Sequence, residues 1–347
     1  MEGCPLRYSQ VGNNIMTNSE TEAQIALDTL PQTHDRLMTE IRKGIIGQDE
    51  VIEQLLVTLL AKGHCLLTGI PGLGKTLLVK TLSRCLSLGF KRIQFTPDLM
   101  PADVVGSEVV DEDPATGRRS FRFSPGPIFS QVVLADEINR TPPKTQAALL
   151  EAMEERQVTV AGQTRGLEAP FFVLATQNPI ELEGTYPLPE AQLDRFLLNP
   201  VIQYLSEEDE SRMVGETTGS EREDPQPVLN GEEIQTLQDL TRKVPAPEQV
   251  ISYAVRLVSA SRPESDICDD WLKPRIKWGA GSRGSQALVL AAKAKALLNG
   301  RPNASRDDVR GIAKSALRHR ILPSFLAESE GLCSDDLIDH LLDKITD

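Results

Sequence analysis

The stretch from Gly69 to Thr76 constrains this chain more than any other part of its sequence. It matches the pattern G-x-x-x-x-G-K-S/T through Gly69, Ile70, Pro71, Gly72, Leu73, Gly74, Lys75 and Thr76. In such a loop the backbone N–H groups surround phosphates, the lysine reaches the β and γ oxygens, and the hydroxyl binds magnesium. The apolar residues 64–68 precede the loop, and residues 77–86 have a helical pattern whose N-terminus would face the phosphates. The sequence therefore predicts a site for ATP and Mg²⁺.

A pair of carboxylates forms the second motif. The apolar run 132–135 ends in Asp136 and Glu137. Carboxylates at the end of a buried strand are costly unless a cation or hydrogen bonds compensate them. Next to a phosphate loop, we expect Asp136 to hold the hydrated magnesium and Glu137 to orient and polarise the attacking water. Taken alone, an acidic pair is commonly an exposed helix cap.

Apolar runs of strand length alternate with helical patterns in the first half of the chain. These runs are 64–68, 93–96, 132–135 and 171–176. Their alternation with helices favours an α/β fold in which a parallel sheet has helices on both faces. Two strand pairs, at 107–123 and 158–164, predict hairpins inserted into this core, the first with its turn at Pro114-Ala115-Thr116-Gly117.

Composition divides the chain into four parts. The polar residues 1–33 predict a flexible tail or at most one docked helix, and residues 34–205 hold the α/β core. Residues 206–230 predict a linker or loop, because 215–227 is rich in Glu, Gly, Ser, Thr and Pro. No strand signal follows, so residues 231–347 predict a helical domain. Its helices are expected at 231–240, 247–260, 285–298 and 305–317.

Charge and cysteine usage limit the partners and the compartment. The chain has 37 Lys and Arg against 50 Asp and Glu, a net charge of −13, which makes nucleic acid an unlikely partner. Five cysteines without a C-x-x-C pair predict a reducing, cytoplasmic location. The start does not resemble a signal peptide and the longest apolar stretch, 51–60, is short, so we expect no direct membrane insertion. The histidines lack metal-ligand spacing, and we assign no zinc.

The sequence around these motifs resembles the MoxR family of AAA+ ATPases. The similar stretches are Ile46-Gly47-Gln48, GIPGLGKT at 69–76, ADEINR at 135–140, residues 141–162, ATQNP at 175–179, EGTYPLPEAQLDRF at 183–196 and LRHRI at 317–321. The resemblance runs from about residue 34 to the C-terminus. It implies an AAA+ P-loop NTPase core at 34–205, a helical lid domain at 231–347, and nucleotide contacts that include Ile46, Gly47 and Leu77.

The resemblance also implies catalytic roles outside the two motifs. Asn178 matches the sensor that contacts the γ-phosphate or the lytic water, although the residue alone indicates an ordinary Asn-Pro turn. Arg195 matches the arginine finger that enters the neighbouring subunit's site, where the alternative is a surface ion pair. Arg283 matches the lid arginine called sensor 2, although Gly281 and Ser282 replace the family's usual Ser and Pro.

Other positions keep alternatives open. Arg140 could face its own nucleotide, face the subunit interface, or form a salt bridge at a helix start. The two hairpins resemble inserts that point toward the central opening of a ring. Phe121, Phe123 and Tyr186 are candidate substrate contacts there, although core packing is the commoner role of aromatic residues.

The resemblance implies a homo-oligomeric ring, commonly a hexamer. Such a ring hydrolyses ATP to remodel, assemble or mature a protein partner, in some cases by inserting metal into a partner with a von Willebrand factor A domain. One alternative is an ATP-dependent binding switch, which would need neither Glu137 nor Arg195. A magnesium-chelatase-like motor subunit is another, and ADEINR, ATQNP and LRHRI favour MoxR over it. A nucleic acid motor is disfavoured by the net charge.

Overall fold

The computed structural model describes residues 18–112, 119–178, 184–219 and 223–345, with side chains from residue 29 onward. The helices are α1 Asn18–Gly44, α2 Asp49–Leu60, α3 Lys75–Cys85, α4 Pro101–Val105, α5 Pro143–Glu155, α6 Glu190–Leu193, α7 Glu207–Thr218, α8 Gly231–Lys243, α9 Glu248–Ala260, α10 Ser282–Leu298, α11 Arg306–Leu317, α12 Phe325–Ser329 and α13 Ser334–Lys344. The strands are β1 Cys65–Thr68, β2 Phe90–Gln94, β3 Gly106–Glu112, β4 Arg119–Pro125, β5 Val132–Asp136, β6 Gln157–Val160, β7 Gln163–Gly166, β8 Phe172–Gln177, β9 Ile276–Trp278 and β10 Leu322–Pro323. None of the helices in these ranges is long and apolar enough to cross a membrane.

A parallel sheet organises the first half of the described chain, with its strands in the order β1-β8-β5-β2. Residues 198–201 extend it beside β1, where the N–H groups of Leu66 and Thr68 each donate a 3.0 Å hydrogen bond to this segment. Because the strands are parallel, their carboxyl ends meet at one edge, which is where ligands bind in open α/β sheets. The predicted α/β fold with a parallel sheet is confirmed.

The strands β5 and β8 supply side chains to two apolar cores. Val132 and Leu134 lie in one core, while Val133 and Ala135 lie in the other. This alternation follows from strand geometry, in which successive side chains point to opposite faces. The first core continues through α1, α2 and α3 into the helices of the lid, and the second lies under α5. The helical half of the chain therefore shares a core with the half that carries the parallel sheet.

The two predicted hairpins are confirmed as the antiparallel pairs β3-β4 and β6-β7. The predicted turn at 114–117 lies outside the described residues. Phe123 packs edge-on against Phe129, with ring centroids 5.5 Å apart, and the Arg165 guanidinium lies 4.0 Å above its ring. Phe121, in contrast, is 76% exposed. Of these two candidate contacts, only Phe121 projects from its hairpin.

Three parts of the structure differ from the sequence predictions. Residues 1–17 of the predicted tail lie outside the described residues, and α1 begins at Asn18, so the predicted boundary at residue 33 falls inside a helix. The helix α7 occupies the predicted linker; the side chain of Ser206 accepts a hydrogen bond from the N–H of Asp209, and acidic residues fill its first turn, both of which stabilise a helix start. In the predicted all-helical region, β9 and β10 form a short antiparallel pair.

A buried arginine joins the lid to the core. The side chain of Arg320 is 3% exposed, and its Nε donates to Oδ1 of Asp194 at 2.7 Å. Its Nη2 donates to the carbonyl of Phe196 at 2.7 Å, and its Nη1 to that of Leu197 at 3.1 Å. A buried charge that loses its partners is strongly destabilising, so these contacts bind the lid to the core. The lid is thus held firmly against residues 194–197.

Candidate active site

The residues between β1 and α3 form the predicted phosphate loop. Gly72 and Gly74 have φ values of +87° and +72°, which L side chains rarely adopt. A Cβ built on either glycine would meet open space among the described residues. Since Gly74 immediately precedes α3 and has no side chain to cap it, the first N–H groups of this helix remain available to an anion.

Lys75 and Thr76 begin α3 next to the carboxyl edge of the sheet. The Nζ of Lys75 donates to the carbonyl of Gly69. Burial lowers the pKa of this ammonium group, and the charges of Asp136 and Glu137 offset part of the shift. The donor set of the Thr76 hydroxyl and the Asp136 carboxylate consists of the oxygen ligands that Mg²⁺ prefers. These residues therefore fit a bound magnesium.

Hydrogen bonds compensate the buried charge of Asp136 at the end of β5. The Thr176 hydroxyl donates to Oδ1 at 2.6 Å, while Nε and Nη2 of Arg92 donate to Oδ2 at 3.0 and 2.6 Å. Thr176 also accepts the N–H of Glu137 at 2.8 Å. The carboxylate of Asp136 is consequently fixed in direction by the neighbouring strands β8 and β2.

Glu137 follows Asp136 in a strained backbone conformation. Its φ of 57° lies in the left-handed region, which costs a residue other than glycine on the order of 1–3 kcal/mol. Its Oε2 accepts a hydrogen bond from Gln94 at 2.8 Å and another from Arg140 at 3.1 Å. Arg140, whose position the sequence leaves open, therefore pairs with the catalytic candidate of its own chain.

Asn178 lies between the phosphate loop and the acidic pair. It comes directly after β8, the strand between β1 and β5 in the sheet, and it is 4% exposed. The register pairs Thr68 with Gln177, so Asn178 is level with Gly69 at the start of the loop. The structure thus brings the loop, Asp136, Glu137 and Asn178 to one edge of the sheet.

A mostly apolar cavity of about 360 Å³ lies against the loop. Small-molecule sites commonly measure about 300–1,000 Å³ and have apolar linings with few polar groups. Its lining includes Ile45, Ile46, Pro71, Gly72, Leu73, Gly74, Leu77, Ile202, Tyr204, Leu205, Met213 and Thr217. The lining offers mostly apolar side chains beside Gly74, which would suit the base and sugar of a nucleotide if its phosphates bound at the predicted loop. The helix α7 supplies the last two residues, so the predicted linker is a wall of this cavity.

Two glycines allow the chain to pass close to this cavity. A Cβ on Gly47, whose φ is +67°, would lie 2.8 Å from Cδ2 of Leu205. A Cβ on Gly69 would lie 3.1 Å from the carbonyl oxygen of Ile202. The described lining of the cavity includes Ile46 and Leu77 but neither Gly47 nor Gly69.

Arg195 and Arg283 lie together in a different cavity. Nη2 of Arg195 is 3.1 Å from Oε2 of Glu154, and Nη2 of Arg283 is 2.8 Å from Oε1 of the same carboxylate. Both arginines line this second cavity, and the described lining of the cavity beside the loop does not include them. The structure therefore joins the finger and lid candidates to each other, but not to the phosphate loop of their own chain.

Several residues of the site were not predicted from the sequence. Arg92 and Gln94 hold the acidic pair from β2, and they alternate with the buried Ile93, which is the pattern of a strand with one polar face. That alternation beside a nucleotide motif is the signal that identifies them. Glu154 gave no such signal, because it is one of several acidic residues on an amphipathic helix.

Family models match both halves of the chain. Residues 64–198 match the ATPase family associated with various cellular activities (AAA). Residues 270–341 match the AAA lid domain. These matches coincide with the half that carries the phosphate loop and with the helical half behind it.

Three comparisons cover most of the chain. It is 38% identical to the chaperone MoxR1 of Mycobacterium tuberculosis over 90% of this chain and 82% of that protein. It is 41% identical to the uncharacterised protein YeaC of Bacillus subtilis over 89% of this chain and 93% of that protein. The crystal structure of a candidate ATPase from Cytophaga hutchinsonii superposes with a TM-score of 0.87 at 36% identity, over 95% of this chain and 99% of that one.

Proposed function

Since this chain belongs to the MoxR family of AAA+ ATPases, we propose that it hydrolyses ATP with Mg²⁺ as a homo-oligomeric ring, commonly a hexamer in such proteins. We further propose that hydrolysis drives the remodelling, assembly or maturation of a protein partner. The chaperone name of the mycobacterial relative supports this role.

One observation carries the proposal. The phosphate loop, Asp136 and Glu137 lie at the edge of the sheet, whereas Arg195 and Arg283 line a separate cavity of the same chain. A transition state with charge on its phosphoryl oxygens needs cations nearby. A second copy that brings its Arg195 and Arg283 to the loop of the first would complete the site. Assembly is then part of the mechanism.

The residues of one chain divide the work of binding and water activation. In the proposed mechanism, the loop N–H groups and Lys75 bind the β and γ phosphates. The ammonium of Lys75 is available for this role. In the described contacts it donates a hydrogen bond only to the carbonyl of Gly69 and pairs with no carboxylate. Bound Mg²⁺ would neutralise charge on the phosphate oxygens, with Thr76 and Asp136 to hold it.

Glu137 is our candidate for orienting the attacking water. Gln94 and Arg140 both donate to Oε2, so we assign Oε1 to the water. The fixed backbone and these two bonds would keep that oxygen pointing in one direction, which is what in-line attack requires. Asn178, buried at the same edge, would orient the water or the γ-phosphate from the other side.

The partner and the compartment are further parts of the proposal. The family resemblance supports a separate protein partner, often one with a von Willebrand factor A domain and sometimes one that receives a metal. It also supports Phe121 at the exposed hairpin, 76% accessible, as a contact with that partner. A cytoplasmic location rests on the scattered cysteines, of which Cys65, Cys85, Cys268 and Cys333 are free thiols.

ATP hydrolysis measured against protein concentration tests the proposal, with molecular mass followed by light scattering. We expect the specific activity to rise as the ring forms. A neighbour's arginine finger is typically worth about 10³ to 10⁵ in rate. Flat activity from a monomer would instead favour a self-contained ATP-dependent switch, and an absence of hydrolysis at every concentration would refute the ATPase proposal.

A further inference from the structure

A positively charged cavity lies between the core and the lid. Its volume is about 360 Å³. The basic side chains that line it are Lys62, Arg156, Arg195, Arg242, Arg283 and Arg320. Its acidic lining, among the described residues, consists of Glu154 and Asp194. In a chain of net charge −13, a concave surface with this excess of positive charge favours an anionic ligand.

Part of this charge is already neutralised by simple ion pairs. Asp194 pairs with the buried Arg320, and Asp239 pairs with Lys62, at 2.7 Å in each case. Glu154 is different, because its single carboxylate serves two guanidinium groups. The cluster of Glu154, Arg195 and Arg283 therefore keeps a net positive charge.

Glu154 connects the two domains through this cluster. It lies on α5 of the core and contacts the core residue Arg195 through Oε2. Through Oε1 it contacts Arg283, which lies on α10 of the lid. Arg195 is held from a second direction, since its Nη1 donates to the carbonyl of Leu150 at 2.8 Å. The bridge thus fixes the relative position of one arginine from each domain.

The bridge leaves N–H groups for a second anion. A guanidinium group carries five N–H bonds in a rigid fork, and the contacts with Glu154 and Leu150 use only Nη atoms. Both guanidinium groups therefore keep N–H bonds that could donate to a phosphate while Glu154 stays in place. Without the carboxylate, the two cations would repel each other and separate.

We propose that Glu154 is a positioning residue that holds Arg195 and Arg283 as one unit, and that this unit receives the terminal phosphate of ATP bound to a second copy of the chain. The inference rests on the proposed function, because it requires assembled copies. Glu154 does not touch the nucleotide and acts through the two arginines. Since Arg283 belongs to the lid, the same bridge links the lid of one copy to the nucleotide of the next.

The variant Glu154→Gln tests this role, with Glu155→Gln as the matched control on the same helix. Both changes remove one carboxylate from an exposed residue of α5. We expect Glu154→Gln to lower kcat of the assembled protein by about 10- to 100-fold, because misplacement of a catalytic group by about 1 Å has effects of this size. KM for ATP should change less than about threefold, since the phosphate loop is untouched. Glu155→Gln should keep wild-type kcat.

A double-mutant cycle separates positioning from a merely structural role. In an Arg283→Ala background Glu154 no longer contacts the lid. The factor by which Glu154→Gln lowers kcat should therefore be at least about threefold smaller there than in the wild type. Independent structural damage would instead multiply the two losses and lower Tm. Glu154→Asp, which keeps the charge on a shorter side chain, should give an intermediate kcat.

The outcomes distinguish this inference from the proposed function. A normal kcat for Glu154→Gln, an equal loss in Glu155→Gln, or losses that multiply with Arg283→Ala would each overturn the role of Glu154. If Glu154→Gln fails to assemble, an assembled Glu154→Asp variant whose kcat is no higher than that of Arg283→Ala would overturn the role as well. A wild-type chain without ATP hydrolysis would overturn the proposed function instead.

Discussion

Arg92 on β2 donates two hydrogen bonds to a single oxygen of Asp136 at the end of β5, at 2.6 and 3.0 Å. The side chain of Arg92 is 45% exposed, while that of Asp136 is 12% exposed. Arg92 therefore occupies Oδ2 of Asp136, while the Thr176 hydroxyl donates to Oδ1. A cation that approaches Asp136 from the solvent must share this carboxylate with Arg92.

This relationship predicts the magnesium dependence of an Arg92→Gln variant. Removal of the competing charge should lower the Mg²⁺ concentration for half-maximal ATP hydrolysis by about two- to fivefold, the range expected for a half-exposed ion pair. Titration of activity with Mg²⁺ at saturating ATP measures it. Lys91→Gln, which removes the charge of the adjacent exposed residue of β2, is the control. An unchanged or higher requirement in Arg92→Gln would show that Arg92 does not compete with the metal.

Lys75→Ala should abolish tight binding of ATP. Loss of a charged hydrogen bond to phosphate costs about 1.5–3 kcal/mol, which corresponds to a Kd about 10- to 150-fold higher. Titration with a fluorescent ATP analogue measures this change. Lys80→Ala removes an exposed lysine from the same helix and should bind normally. Equal affinities for the two variants would refute the assignment of the loop.

Glu137→Gln should separate binding from hydrolysis. The amide keeps the shape of the side chain but cannot accept the proton of the attacking water, so we expect unchanged affinity and a turnover lower by about 10² to 10⁴. Single-turnover hydrolysis, together with the binding assay above, measures both quantities. Normal turnover would mean that another residue positions the water.

Mixing two inactive variants tests whether the site is shared. Arg195→Ala keeps its own Glu137, and Glu137→Gln keeps its own Arg195. In a ring of equal parts, random assortment should restore about a quarter of the composite sites. Activity of the mixture, compared with each variant alone at the same total concentration, measures the restoration. If the mixture is no more active than its parts, Arg195 acts within its own chain.

His64 predicts a loss of stability in mild acid. Its Nδ1 accepts the N–H of Val173 at 3.1 Å and its Nε2 lies 3.0 Å from the carbonyl of Met153, so the neutral ring satisfies both contacts. Burial lowers the pKa of His64 to about 4 from an ordinary value of 6.5. The unfolded chain therefore takes up a proton, as pH falls through 6.5, that the folded chain resists until about pH 4.

The contribution of neutral His64 to the free energy of unfolding is therefore fully present above pH 6.5, the ordinary pKa, and is lost as the pH decreases from there. Between about pH 7.5 and about pH 5, His64 should remove roughly 2 kcal/mol from the free energy of unfolding. Urea unfolding of the wild type and of His64→Gln at both values measures this, and the variant should lose about 2 kcal/mol less over the same interval. Burial also lowers the pKa of His319. Its contribution is the same in both proteins, so it cancels when the pH dependence of the wild type is compared with that of His64→Gln. Parallel slopes would refute the prediction.

The parallel sheet can be predicted from the sequence because its strands depend on local patterns. Apolar runs mark the strands, although β2 begins at Phe90, earlier than the run at 93–96, since its exposed residues Lys91 and Arg92 are polar. The helix α7 was missed for a related reason. It is exposed along its length, with no buried residue among those described, so no apolar face distinguished it from a linker.

Contacts between distant parts of the chain were beyond reach of such patterns. Arg195 and Arg283 are 88 positions apart in the numbering, and their meeting at Glu154 depends on how the lid packs against α5. The family resemblance named both arginines without showing that they adjoin. The cavity beside the loop was equally hidden, because it combines residues that precede the loop with residues of the predicted linker.

The buried Arg320 limits how this protein can be recombined with its relatives. Its guanidinium belongs to the lid, but Asp194 and the carbonyls of Phe196 and Leu197 that accept its hydrogen bonds belong to the core. A chimera that takes its lid from a relative would bring a foreign residue to native acceptors. If residues 194–199 are exchanged together with the lid, the arginine and its acceptors come from the same parent. The crossover point for domain shuffling therefore lies before residue 194.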